Sequence, residues 1–157
     1  MPTSRRRLPT AVLFAAGLAP VLAAPLVTYA LIGDHSEVDP AHADYVIHPP
    51  SVSSVTVNTV ALFATMLALF GLGLLIPRWR QRTLHPGWRP VVVLLMIVGM
   101  LVAAIYRVAT FGTTGANIGF GVLLIFGAPC AIAFAVGAAV AAIKILRVPK
   151  ASQSRPA

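Results

Sequence analysis

Four long apolar runs, separated by short polar segments, organise this chain. They cover about residues 10–32, 52–76, 91–110 and 118–143. At about 1.5 Å of rise per residue, a helix of roughly 20 residues crosses the ~30 Å hydrocarbon core of a bilayer. Three of the runs contain no charged residue, and the third contains one, Arg107. A helix on the surface of a soluble domain alternates an apolar stripe with a polar face, whereas these runs are apolar around the whole circumference. The pattern predicts an all-α integral membrane protein, a four-transmembrane-helix bundle, with residues 1–157 forming a single domain.

The separators differ in character. Segment 33–51 is polar and turn-rich, with Asp39-Pro40 and His48-Pro49-Pro50. Segment 77–90 holds four arginines and both tryptophans, Trp79 and Trp88. A glycine- and threonine-rich turn spans 112–117, and the basic tail 147–157 reads as disordered. Within the first run, Pro20 and Pro25 leave the carbonyls of Ala16 and Val21 without their usual helical donors, which predicts a bend. The second run carries Ser53, Ser54, Thr56, Asn58 and Thr59 at one end and Gly71 and Gly73 at the other.

A cleaved signal peptide is the rival reading of the first run. The stretch Ser4-Arg5-Arg6-Arg7-Leu8 resembles the start of a twin-arginine signal. The apolar stretch is too long for a signal core, its small-residue candidate site near Ala23-Ala24 is followed by Pro25, and three further runs follow. A membrane anchor is therefore expected.

Charge orients the picture. Eleven of the twelve basic residues flank the runs on one predicted side: Arg5, Arg6, Arg7, Arg78, Arg80, Arg82, Arg89, Lys144, Arg147, Lys150 and Arg155. All four acids, Asp34, Glu37, Asp39 and Asp44, fall in segment 33–51 on the other. Lys and Arg are retained in the cytoplasm during insertion, so both termini are expected on the cytoplasmic side of a cell membrane and 33–51 on the outer side. The three tyrosines, Tyr29, Tyr45 and Tyr106, fall near the outer interface, as an aromatic belt requires. The net charge of +8 flanks apolar spans instead of interleaving with aromatics, so its expected partner is anionic lipid headgroups and not nucleic acid. The lone cysteine, Cys130, excludes an internal disulfide.

Four constellations carry candidate chemistry. His35, His42, His48 and Asp44 are suitable transition-metal ligands, but their spacing is wider than in established zinc motifs. A solvated acidic loop is the simpler reading, with metal capture or pH sensing by histidine as alternatives. Arg107 lies about 25 Å along its helix, near the outer edge, where it either pairs with an acid of 33–51 or forms an anion site. Thr113, Thr114 and Asn117, one turn away, offer caps for the fourth helix or donors for an anion. Small residues Gly115, Gly119, Gly127, Ala131, Ala135 and Ala139 recur at four-residue spacing, the pattern of close helix packing. They predict that the fourth helix is the central packing helix or an oligomer contact.

The absences narrow the function. No Asp, Glu or His lies within a run, which disfavours proton- or sodium-coupled transport. No catalytic triad, zinc-protease or phosphate-loop motif appears. The expectation is a non-enzymatic accessory, scaffold or assembly protein with no cofactor, whose partner is another membrane protein or itself. The alternative is an oligomeric passive channel or anion-binding permease subunit built on Arg107, Thr113, Thr114 and Asn117.

Overall fold

The structure, a computed structural model, describes residues 9–33, 45–81, 84–112 and 116–147. The described chain contains four helices: α1 (Thr10–Ile32), α2 (Ser54–Arg80), α3 (Trp88–Ala109) and α4 (Ala116–Arg147). All four are long and apolar enough to cross a membrane. Their bounds follow local chemistry. Ser53 caps α2, its hydroxyl oxygen accepting from the Thr56 amide at 3.2 Å. Pro90 falls in the first turn of α3, where an amide donor is not needed. Helix α4 runs past its apolar stretch to include Lys144 and Arg147, cations that suit the negative end of the helix dipole. Gly33, at φ 71°, ends α1 in a backbone conformation open to glycine, and its amide donates to the Ala30 carbonyl.

The helices form two antiparallel hairpins, α1–α2 and α3–α4, docked through α1 and α3. Helix α1 packs against both α2 and α3, while α4 packs extensively on α3 alone. The order across the assembly is therefore α2, α1, α3, α4. This corrects the expectation of a central fourth helix: α1 and α3 each pack on two neighbours, and α4 lies at an edge. The physical reason lies in residue size. The buried positions of α1 are Ala16, Ala19, Pro20, Ala23 and Ala24, small residues that admit a neighbour on each flank.

The small-residue face of α4 is used, but along a different line. Gly127, Ala131 and Ala138 are buried, Ala135 is half-buried and Ala139 is exposed. A four-residue step advances about 400° around a helix, so a stripe at that spacing drifts by roughly 40° per step and leaves the contact. The seam with α3 instead follows spacings of four and seven residues. A side chain at Gly127 would meet Ile105 at 3.3 Å, and one at Gly119 would meet Val108 at 3.6 Å. Gly115 lies outside the described residues.

Two ends can be distinguished. The basic end gathers the start of α1, the end of α2 and the start of α3, where Ala16, Leu75, Trp79 and Val92 form the tightest apolar cluster. The tyrosine end carries Tyr29, Tyr45, Tyr106 and Arg107. Between them, hydroxyls within the spans are satisfied inside their own helices: Thr28 donates to Ala24, Thr59 to Val55 and Thr65 to Ala61.

Candidate functional site at the buried arginine

Arg107 is 7% exposed and is the one buried charged side chain among the described residues. An uncompensated guanidinium in an apolar surrounding is costly, so its partners decide what it does. Its Nε donates to the Gly33 carbonyl at 2.6 Å and its Nη1 to the Tyr29 hydroxyl at 3.1 Å. The guanidinium also stands 4.6 Å from the Tyr29 ring centre and 5.5 Å from that of Phe111, within cation–π range of both. A charge-assisted bond to a carbonyl is worth about twice a neutral one. Arg107 therefore ties the end of α1 to the end of α3.

The backbone prepares this contact. Gly33, at φ 71° and ψ −174°, occupies a region essentially closed to other residues, and it is Gly33 whose carbonyl receives Arg107. On α3 the turn after Arg107 is fixed by Thr110, whose hydroxyl and amide both donate to the Arg107 carbonyl.

The end of segment 33–51 folds over the same site. The Ile47 amide donates to the Ala109 carbonyl at 2.9 Å. The Tyr45 ring lies against Gly112, where an added Cβ would fall 2.5 Å from a ring carbon. His48 meets Tyr45 in a tilted ring contact with centres 5.6 Å apart, and Tyr29 lies 6.1 Å from Tyr106. Arg107 also lines a cavity of about 210 Å³, together with Tyr29, Gly33, Pro49, Ser54 and Asn58 among others. Its walls combine donors and acceptors with prolines, so it has the chemistry to admit water or a small anion.

The candidate residues named from sequence divide accordingly. Arg107 and Asn58 are brought to one cavity. Asn117 begins the exposed first turn of α4 and does not line it. Thr113 and Thr114 lie outside the described residues, as do His35, His42, Asp44 and the three other acids, so the acid expected to pair with Arg107 falls there too. His48 is exposed, and no group of three metal-ligating side chains occurs among the described residues. Sequence reasoning missed Gly33 and Tyr29 as the arginine's partners. A glycine directly after an apolar run was the available signal for a helix-ending carbonyl. Tyr29, read only as a belt residue, gave none.

The chain matches no known protein family, no curated protein and no solved structure.

Proposed function

We propose that this is a small non-enzymatic protein of the cell membrane that acts as an accessory, scaffold or assembly partner through helix contacts. In this reading both termini are cytoplasmic and segment 33–51 faces out, following the sorting of basic and acidic residues. The observation that carries it is the open row of helices. Helices α2 and α4 sit at its two edges, each packed extensively on a single neighbour. Their outward faces carry large apolar side chains, Phe63 and Phe70 on α2 and Phe126 and Ile132 on α4. The buried arginine supports the same reading, since its bonds to Gly33 and Tyr29 make it a tie between helices. The test is photo-crosslinking in native membranes from probes at Phe70 and Phe126. A discrete product with one other protein is expected from at least one edge. Products with lipid alone from both would overturn the reading.

A second reading has one observation in its favour, the 210 Å³ cavity that Arg107 shares with Asn58. It makes the chain an anion-binding permease subunit or the protomer of a passive channel. A crosslinked ladder of self-products, together with anion flux into liposomes that Arg107→Gln removes, would favour it over the accessory role.

A further inference from the structure

At the basic end, a groove of about 320 Å³ opens between α1, α2 and α3. Its walls are apolar: Leu13, Gly17 and Val21 of α1, Leu75 of α2, and Val92 and Leu95 of α3. Both tryptophans of the chain, Trp79 and Trp88, line it as well. A groove of this size holds a length of hydrocarbon chain and no bulky polar molecule. One of these wall residues carries an unpartnered polar atom. Trp79 is 9% exposed, and its indole nitrogen is buried with no hydrogen-bond partner. A buried N–H without an acceptor is a rare and costly arrangement that an oxygen-bearing ligand would relieve.

Cationic side chains stand beside Trp79, in space or along the chain. Arg89 is exposed and sits 5.8 Å from the centre of the Trp79 ring. Arg80, one residue from Trp79, is also exposed. Arg78 is anchored by its Nη1 bond to the Leu74 carbonyl at 2.7 Å. An apolar slot, an indole donor on one of its wall residues and the exposed guanidinium of Arg89 beside that indole offer surfaces from hydrocarbon to anion.

We propose that this groove is a specific site for one anionic phospholipid. An acyl chain lies between α1, α2 and α3, an ester or phosphate oxygen accepts from Trp79 Nε1, and the phosphate rests on Arg89 and Arg80. The proposal rests on the membrane reading above, with the basic end in the cytoplasmic leaflet. Basic pockets between transmembrane helices on that side recognise acidic headgroups by the same physics. It goes beyond a diffuse attraction to headgroups, because it assigns one lipid to one slot with a defined wall.

Gly17 supplies the decisive variant. It lines the groove, and a Cβ built there meets nothing within 4 Å. Gly17→Leu therefore starts its side chain in open space and fills the slot. The experiment uses the purified full chain carrying Trp88→Phe, so that Trp79 alone reports. Tryptophan fluorescence is followed in neutral mixed micelles as phosphatidylglycerol or phosphatidylcholine with brominated acyl chains is added. The expected result is that phosphatidylglycerol quenches Trp79 at about tenfold lower mole fraction, the weight of roughly one to two cationic side chains on an anionic lipid. Gly17→Leu abolishes the quenching, and Arg89→Gln reduces the preference between the two lipids severalfold while chain quenching persists. Equal quenching by both lipids in the parent protein, or unchanged quenching in Gly17→Leu, overturns the proposal. Because the assay contains no other protein, its outcome is separate from that of the crosslinking experiment.

Discussion

Gly71 of α2 lies against the backbone carbonyl of Ala16 on α1, the carbonyl that Pro20 deprives of its helical donor. A Cβ built on Gly71 would fall 2.6 Å from that oxygen. The relation is repeated on the other flank of α1. There Pro25 frees the Val21 carbonyl, and Gly99 of α3 stands opposite, its built Cβ 3.0 Å from Pro25 Cδ and 3.6 Å from the Val21 oxygen. Each proline of α1 thus meets a glycine on a neighbouring helix, and close backbone approach brings Cα–H groups near the unsatisfied oxygens.

Gly71→Ala should therefore destabilise the protein by about 1–3 kcal/mol, the usual cost of overpacking against a backbone that cannot yield. Gly73, two residues on, meets nothing within 4 Å. Gly73→Ala should be neutral or stabilising by up to roughly 1 kcal/mol, since alanine is the better helix former. Thermal unfolding in detergent compares them, and equal losses at both positions would refute the contact.

The α3–α4 seam gives a second contrast. Gly127→Leu and Ala131→Leu should each lower stability by on the order of 1–3 kcal/mol, because both positions are buried against α3. Ala139→Leu and Val136→Leu, on the exposed side of α4, should change it by less than about 0.5 kcal/mol. The same unfolding assay decides. A large loss from Ala139→Leu would show that a further surface covers that face.

Arg107→Gln should cost roughly 2–3 kcal/mol, since it removes charge-assisted bonds to Gly33 and Tyr29 and leaves their oxygens poorly matched. Tyr29→Phe should cost about 1 kcal/mol, because the ring beneath the guanidinium remains. Liposome flux of anions should stay at background for the parent and for Arg107→Gln. Conduction by the parent that vanishes in the variant with little loss of folded protein would transfer the site to the channel reading.

Topology is open to direct labelling. With Cys130 replaced, Ser36→Cys should react with a membrane-impermeant thiol reagent in intact cells and Ser152→Cys should not. The reverse pattern would invert the orientation assigned from charge sorting.

Segment 33–51 should not hold a transition metal tightly, given the wide spacing of His35, His42 and His48. Titration of zinc and copper into the purified protein tests this. One-to-one binding below about micromolar that His42→Ala and His48→Ala abolish would establish a metal site there.

The four helices were legible because each span must satisfy its backbone internally and present apolar side chains all round, which leaves an unmistakable pattern. The bounds shifted by a few residues where helix outlasts hydrophobicity, as at Arg80 and Arg147. The order of the helices was not legible. Small residues populate both α1 and α4, and spacing alone does not say which of the two lies at an edge. Arg107 was recognisable as a singular charge, but its partners are a carbonyl and a hydroxyl 74 and 78 residues away in sequence, and no local pattern announces them. The groove at the basic end was hidden for a similar reason. Its two tryptophans stand in the sequence only as members of the basic segment 77–90, and the packing of three helices gives them a common cavity.

The order of the helices also bears on how the protein is made. Helix α2 docks on α1, α3 docks on α1, and α4 docks on α3. Every helix after the first finds its principal neighbour already synthesised. An N-to-C route of insertion, in which domains form as the chain emerges, then never requires a later helix to displace an earlier contact. On such a route the two flanks of α1 are filled in turn, first by its own hairpin partner and then by the second hairpin.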